Sequence, residues 1–215
     1  MKRASYIQNL IKKGENQFQD FKFTINDSKK IARSLVAFAN TSGGRLLIGV
    51  KDNGKVAGVR TEEEFHMVEA AAQLYCKPEI LFKRKDWIVE RKKVLEIIIP
   101  ESKIKPHLTQ TEKGKWLAFI RVEDENILAN IVLMRVWEKQ KSNKGIRIQY
   151  TEAENYLLSY LNQNNCISLK QFYKQANISR YRAINILSNF IVLELLEPFL
   201  KENDIFYKSP SKMVV

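Results

Sequence analysis

The chain has 215 residues, 45% of them hydrophobic, and a formal net charge of +12, which fits one globular domain with room for a second, smaller one. No apolar run approaches the roughly 18 residues that cross a bilayer, and the first residues lack the apolar core of a secretory signal. We therefore expect a cytoplasmic protein with no membrane partner. Cys76 and Cys166 have neither zinc-ligand nor disulfide-framework spacing, so we expect both to be reduced.

The hydrophobic pattern predicts an α+β domain over residues 1–140, with a mixed sheet packed with helices. The predicted elements are a helix over 6–13, a strand over 17–24, a helix capped by Ser28 and ending at Asn40, a hairpin of strands 46–50 and 55–59, a helix over 61–75, strands near 79–84, 87–91, 94–99 and 116–122, and a helix whose first turn holds the carboxylates of 123–125 and which ends near 138.

The positive charge is concentrated in this first domain. Residues 1–150 hold 29 Lys and Arg against 18 Asp and Glu, whereas the remaining residues hold 7 against 6. Such an excess favours a polyanion, because contacts to a phosphate backbone release its counterions, and nucleic acid is therefore the first partner to consider. Lysines that only keep the protein soluble are the ordinary alternative.

One predicted hairpin carries a dense group of candidate nucleic-acid contacts. Its cations are Lys83, Arg84, Lys85, Arg91, Lys92 and Lys93. Trp87 lies between the two groups and is the best candidate among the three tryptophans for stacking on a base, although a core or interface position is the commoner role.

The segment 139–145 is polar and predicts a linker, after which residues 146–209 have a different pattern. Three short helices followed by two short strands outline a small, mainly helical, winged helix-turn-helix-like domain, with 179–190 in the position of the recognition helix. Arg180 and Arg182 lie in its first turn, where contacts to DNA would form. The near-neutral charge of this segment leaves an internal or dimerisation role open.

Several short motifs of the first domain resemble the AlbA_2 domain that is shared with Schlafen proteins and is also labelled "divergent AAA-4". The motifs are Asp20-Phe21-Lys22, residues 37–41, Gly43-Gly44, residues 47–50, Asp52, Gly58, Lys105-Pro106-His107 and residues 120–122. The resemblance covers about residues 12–138. It implies a small nucleic-acid-binding domain that tends to pair with a second copy, and hence a homodimer; we expect Lys22 and Arg45 to be among its contacts.

The "AAA" label suggests ATP, but the order of the elements argues against it. A phosphate loop needs a strand, a glycine-rich loop and then a helix, because the free N–H groups of a helix N-terminus face the anion. Here Gly43-Gly44 follows a predicted helix and precedes a strand, and the chain has no GxxxxGK[ST] motif. We therefore expect no ATPase site and no cofactor.

The same resemblance implies a metal-dependent ribonuclease site. Glu15, Asp20 and Asp52 match the catalytic and metal-binding carboxylates of Schlafen-type nucleases, where Mg²⁺ or Mn²⁺ would activate the attacking oxygen and Lys22 would hold the phosphate. Asp20 is a methylene shorter than the usual glutamate, and Lys51 replaces an acid often found beside Asp52. Each carboxylate also has an ordinary alternative role in a loop, an ion pair or a turn.

Together these features favour a cytoplasmic protein of bacterial type that binds nucleic acid, with DNA preferred over RNA, and acts as a transcriptional regulator. Two alternatives remain open: a metal-dependent endoribonuclease using Glu15, Asp20 and Asp52, and a module whose basic surface meets an acidic protein.

Overall fold

The computed structural model of the chain describes residues 2–142, 145–146, 149–202 and 204–210, with side chains from Tyr6 onward. The chain divides into two compact units, Met1–Ala129 and Asn130–Val215. Among the described residues, no helix has the length and apolar character needed to cross a membrane.

The N-terminal unit contains three helices and nine strands in its described part. They are α1 (Lys2–Lys12), β1 (Gln19–Lys22), α2 (Ser28–Asn40), β2 (Gly44–Ile48), α3 (Glu63–Leu74), β3 (Cys76–Lys77), β4 (Lys83–Val89), β5 (Lys92–Ile99), β6 (Leu108–Gln110), β7 (Trp116–Leu117), β8 (Phe119–Val122) and β9 (Glu125–Leu128).

A mixed four-stranded sheet of order β1-β2-β5-β4 is the centre of this unit. Strand β1 is parallel to β2, and the other neighbours are antiparallel. Successive side chains of a strand point to opposite faces, so that Leu46 and Ile48 of β2 join one buried cluster with α2 and α3, while Leu47 joins a second cluster with Ile7 of α1. This arrangement confirms the predicted α+β class with a mixed sheet packed with helices.

The N-cap of helix α2 lies one residue earlier than the sequence predicts. Asp27, rather than Ser28, is the N-cap, and its Oδ1 accepts hydrogen bonds from the backbone N of Lys29 (2.8 Å) and Lys30 (3.4 Å). The helix ends at Asn40 as predicted, and the chain enters β2 through Gly43, which has a φ of +69°. A Cβ at Gly43 would lie 2.7 Å from the backbone N of Glu101, so this turn requires glycine.

The predicted strands near 79–84 and 87–91 form one strand, β4, and its hairpin turn lies at 90–91. Two further predictions for this unit are wrong. The carboxylates of 123–125 do not start a helix: Glu123 has a φ of 54° in a tight turn, and Glu125 begins β9, which pairs with β8. The predicted second strand of the hairpin after Asp52 is reduced to a single bridge between Val50 and Val56. In both places the turn leaves only a short ladder.

The C-terminal unit contains α4 (Ile131–Lys141), α5 (Glu152–Gln163), β10 (Ile167–Ser168), α6 (Leu169–Gln175), α7 (Arg180–Val192), β11 (Glu197–Lys201) and β12 (Asp204–Lys208). The strands form an antiparallel sheet of order β10-β12-β11. Three helices and a terminal hairpin follow α4 in the predicted order, and the assignment of this unit as a winged helix stays a prediction.

The boundary between the units differs from the predicted one at 140, because α4 belongs with the C-terminal unit. Lys139 of α4 donates hydrogen bonds to three oxygens of α7: the carbonyl of Asn185 (3.1 Å), Ser188 Oγ (2.6 Å) and Asn189 Oδ1 (2.7 Å). The predicted linker therefore begins as helix, and its residues 143 and 144, like residues 147 and 148 of the predicted second domain, lie outside the described residues.

Candidate nucleic-acid interface

Two of the three predicted catalytic carboxylates meet at the edge strand β1. The carboxylate of Glu15 accepts a hydrogen bond from the backbone N of Phe21 at 2.8 Å. Asp20 is buried, with 4% of its surface exposed. Its Oδ2 lies 2.8 Å from Lys22 Nζ and accepts a hydrogen bond from Ser34 Oγ at 3.2 Å.

The protonation of Glu15 depends on this environment. Burial raises the pKa of Glu15 above its ordinary value, and a hydrogen bond with Asp20 raises the pKa further, whereas the bond from the backbone of Phe21 and the charge of Lys22 oppose the rise. A carboxyl group with a raised pKa that is hydrogen-bonded to a second carboxyl group is an arrangement that can transfer a proton.

Asp52 lies in the exposed turn that follows β2, a turn closed by a hydrogen bond from the backbone N of Gly54 to the carbonyl of Lys51 at 2.8 Å. In the described part of the chain, no three side chains of His, Cys, Asp or Glu are close enough together to hold a metal ion. The structure therefore brings together Glu15 and Asp20 but does not add Asp52 to them as a third ligand.

The carboxylate oxygens of Glu15 and Asp20 are ligands that suit Mg²⁺ or Mn²⁺, but positively charged side chains already surround Asp20. Lys22 occupies one side, and the guanidinium of Arg121 lies 3.8 Å from Asp20 Oδ1 on another. The residues thus fit a charge-compensated carboxylate better than an open metal site. Catalysis and metal binding by Glu15, Asp20 and Asp52 stay predictions.

Arg121 is the main residue of this region that the sequence analysis did not name as a site residue. It is 2% exposed, and its guanidinium donates to the carbonyl oxygens of Asn16 (3.3 Å) and Gln19 (3.2 Å) and to Asn126 Oδ1 (3.1 Å). The motif at 120–122 signalled its importance, but its partners in and before β1, Asn16 and Gln19, are about a hundred positions away in the sequence. Arg121 holds the unpaired edge of β1 in place.

Arg45 and Trp87 point to a buried carboxylate. Glu96 is fully buried and accepts hydrogen bonds from Arg45 Nη1 (3.3 Å), Trp87 Nε1 (2.9 Å) and the hydroxyl of Tyr6 (3.0 Å). The rings of Tyr6 and Trp87 also pack with centroids 5.1 Å apart. Trp87 is thus half-buried, and it packs against the core of its own unit.

The cations of the β4–β5 hairpin fall into two groups. Arg84 and Lys93 are neutralised internally: Arg84 pairs with Asp86 (2.6 Å) and Glu62 (2.7 Å), and Lys93 pairs with the same two carboxylates. The hydrogen bonds from Arg84 and Lys93 lower the pKa of Glu62 to about 2. Lys92 donates its Nζ to the carbonyl of Val56 at 2.9 Å.

The second group is free of such partners. Lys83, Lys85 and Arg91 are exposed, and none of them has an ion pair with another described residue. Lys83 and Lys85 alternate with Arg84 along β4, so both project from the same face of the strand. The structure thus separates the predicted contacts into three available cations and three that already have a partner.

In the C-terminal unit, the first turn of α7 is exposed. Ser179 caps the helix through a hydrogen bond from the backbone N of Arg182 at 3.2 Å. Arg180 is exposed, Tyr181 is 67% exposed, and Arg182 donates to Thr151 Oγ1 at 2.9 Å. Arg180 is therefore the most available contact of this turn, since the hydroxyl of Tyr181 accepts a hydrogen bond from Arg135 Nη2 at 3.3 Å.

Comparison with known proteins supports the resemblance seen in the motifs. The model of the Schlafen AlbA_2 family matches residues 15–130, more than half of the chain. No curated protein matches the chain. Helix α4 begins where the matched region ends, in agreement with the boundary between the two units.

Two solved structures are similar at low identity. The DIP2311 protein from Corynebacterium diphtheriae is 15% identical with a TM-score of 0.46, and the match covers 75% of this chain and 38% of that protein. The N-terminal domain of a RecG-related protein from Nitrosomonas europaea is 14% identical with a TM-score of 0.39, covering 70% of this chain and 97% of that domain. The chain thus spans well under half the length of the first of them.

Proposed function

Because the chain belongs to the Schlafen AlbA_2 family, which connects it with a nucleic-acid-related function, we propose that it binds DNA through phosphate contacts and acts as a transcriptional regulator, as a homodimer. The observation that carries this proposal is the set of exposed cations without internal partners, Lys83, Lys85 and Arg91, on one hairpin. Cations that already pair with carboxylates would gain little from a phosphate, whereas unpaired ones gain most of the interaction.

The preference for DNA rests on the C-terminal unit. Its α7 presents Arg180 and Tyr181 in an exposed first turn, and in helix-turn-helix proteins this end of the recognition helix contacts the base edges. Cations on the sheet unit would supply affinity independent of sequence, and α7 would supply the specificity of a regulator.

Titration of fluorescently labelled duplex DNA over a range of salt concentrations tests the proposal. Each phosphate contact adds about 0.9 to the slope of log affinity against log salt, so the triple variant Lys83→Gln, Lys85→Gln, Arg91→Gln is expected to lower that slope by about 2 to 3. The control is Lys12→Gln, Lys13→Gln, Lys55→Gln, which removes the same charge from exposed lysines elsewhere. Equal slopes for the two variants would contradict the assignment of the hairpin.

A second candidate function is a metal-dependent endoribonuclease, and the paired carboxyl groups of Glu15 and Asp20 beside Lys22 support it. Incubation of the protein with labelled tRNA, with Mn²⁺ or with EDTA, distinguishes the two functions. Cleavage that needs the metal and disappears in Asp52→Ala and in Glu15→Gln would replace the regulator by the nuclease. Salt-sensitive binding of duplex DNA without cleavage supports the regulator, and binding of neither nucleic acid would favour a partner that is an acidic protein.

A further inference from the structure

A cavity of about 400 Å³ lies in the N-terminal unit between the first turns of α2 and the β6–β7 hairpin. This volume is in the range of small-molecule sites. The cavity is separate from Lys83, Lys85 and Arg91, and none of the predicted site residues lines it.

Positive charge dominates the rim of the cavity. Lys29, Lys30 and Arg33 of α2 contribute to one side, and Lys113 and Lys115 of the hairpin contribute to the other. The two carboxylates of the lining are Asp27 and Glu112, and the carboxylate of Asp27 caps α2 by accepting from two backbone N–H groups. A surplus of three positive charges around one concave site favours an anionic ligand.

The wall of the cavity has a flat surface beside this charge. The guanidinium of Arg33 lies over the ring of Phe119, 4.5 Å from its centroid, and Leu117 continues the apolar wall. Among the described residues the side chain of Arg33 has one hydrogen bond, from Nη2 to the carbonyl of Asn126 at 2.8 Å. A guanidinium plane held in this way offers its outer face to an aromatic ring.

A buried hydroxyl without a partner also lines the cavity. Thr109, in the middle strand of the β3-β6-β7 sheet, is 2% exposed, and its Oγ1 has no hydrogen-bond partner in the part of the chain that the structure describes. A buried hydroxyl with no partner destabilises the folded chain, and the cavity beside Thr109 is where a ligand would supply the missing bond.

We infer that this cavity binds a nucleotide, with its phosphate at Lys113 and Lys115 and its base against Arg33, and with a hydrogen bond to Thr109 Oγ1. A nucleoside phosphate combines an anionic phosphate, a flat base and polar groups that form hydrogen bonds. The cations of the rim, the plane of the Arg33 guanidinium and the hydroxyl of Thr109 would bind these three parts in turn. The same chemistry occurs in a free mononucleotide and in the phosphorylated 5′ end of a nucleic-acid strand. The inference goes beyond the proposed function, because it assigns a second site at a different place in the unit.

Isothermal titration calorimetry with the full chain tests the inference. We expect adenosine 5′-monophosphate to bind, and adenosine and ribose 5-phosphate each to bind at least tenfold more weakly, because each lacks one of the two recognised groups. A short oligonucleotide with and without a 5′-phosphate identifies the source: at least tenfold tighter binding of the phosphorylated strand assigns the site to strand ends, and equal binding of the two strands assigns it to a free nucleotide. No heat with the 5′-monophosphates of adenosine, guanosine, cytidine and uridine at millimolar concentration would overturn the inference.

Variants connect binding to the cavity. Thr109→Val keeps the shape of the side chain and removes the hydroxyl, so it is expected to weaken nucleotide binding roughly tenfold while it raises the melting temperature of the free protein. Lys113→Gln with Lys115→Gln is expected to weaken binding by a similar factor, and Lys12→Gln with Lys13→Gln, which removes the same charge elsewhere, is expected to leave it unchanged. Equal affinity in the Thr109 variant and in the wild-type protein would contradict the assigned position, whatever the effect on stability.

Discussion

Glu15 gives a prediction at the scale of a single residue. Its folded-state pKa is raised, chiefly by burial and then by Asp20, so the ionised form weakens the fold. The free energy of unfolding should therefore fall as the pH rises from the ordinary value of 4.5 through the raised one. Glu15→Gln keeps an oxygen that accepts from the backbone N of Phe21 and removes the charge. It is expected to melt at a higher temperature than the wild-type protein at pH 7.

Thermal unfolding from pH 4 to pH 8 measures this effect. The gap in melting temperature between Glu15→Gln and the wild-type protein should narrow as the pH falls toward 4.5, because the carboxyl group is protonated in both the folded and the unfolded state only below that value. Glu15→Ala is the contrast, because it also leaves the backbone N of Phe21 without its acceptor and should melt lower than Glu15→Gln at every pH. A constant gap across the range would show that Glu15 is not the group that titrates.

The buried carboxylate of Glu96 gives a second prediction at this scale. Glu96→Ala leaves Trp87 and the hydroxyl of Tyr6 without their acceptor and removes the carboxylate that pairs with Arg45, which keeps only its bond to the hydroxyl of Tyr6. It is expected to lower the free energy of unfolding in urea by about 3 kcal/mol. Trp87→Phe removes one of these bonds and should cost about 1 kcal/mol. If Trp87 belongs to the core, Trp87→Phe leaves the affinity for DNA unchanged, and a tenfold loss of affinity would instead restore its role as a stacking residue.

At the scale of elements, two glycines in turns allow the cost of a positive φ angle to be distinguished from the cost of a steric clash. Gly43 lies between α2 and β2, and Gly54 lies in the turn after β2. Gly43 and Gly54 have similar positive φ angles, +69° and +78°. A Cβ at Gly43 would lie 2.7 Å from the backbone N of Glu101, whereas at Gly54 the nearest atom is 3.6 Å away. Gly54→Ala is expected to cost about 1 kcal/mol from the backbone angle, and Gly43→Ala at least about 2 kcal/mol more from the clash. Urea unfolding of both variants measures the difference, and equal losses would refute it.

The elements also show what the sequence could predict. Helix α2, its end at Asn40 and the glycine turn that follows were predictable, because periodicity and turn chemistry are local. Strand β9 was predicted as the start of a helix, since the carboxylates of 123–125 suit a helix N-terminus and the strand is short. In the candidate site, Asp20 and Lys22 are neighbours in sequence and were foreseeable as a pair. The contact of Asp20 with Arg121 required the fold.

At the scale of the whole molecule, the boundary between the units predicts which fragments fold. Helix α4 buries Val132, Val136 and Trp137, and Asn130 donates to the hydroxyl of Tyr207 at 2.9 Å. Fully burying an apolar side chain contributes about 1.5 to 3 kcal/mol, so losing three of them approaches the entire stability of a small domain. Fragment 130–215 is expected to unfold cooperatively, whereas fragment 146–215, cut at the predicted domain start, is expected to be largely unfolded. Thermal unfolding followed by circular dichroism compares the two fragments. Equal melting temperatures would show that α4 does not stabilise the C-terminal unit.

The contact between α4 and α7 should also make the stability of the intact chain depend on pH. Burial lowers the pKa of Lys139 to about 8, and the charge of Arg135 contributes to the decrease. Between this value and the ordinary 10.5 the unfolded chain binds more protons than the folded one, so stability should rise with pH across that window. Lys139→Gln is expected to lose the rise, while Lys141→Gln, at an exposed position in the same last turn, keeps it. Urea unfolding at pH 7, 9 and 10 measures the slope for each protein. Among the described elements, Lys139 donates to α7 alone. If the rise in stability with pH is lost in Lys139→Gln and kept in Lys141→Gln, the contact between α4 and α7 unfolds together with the C-terminal unit.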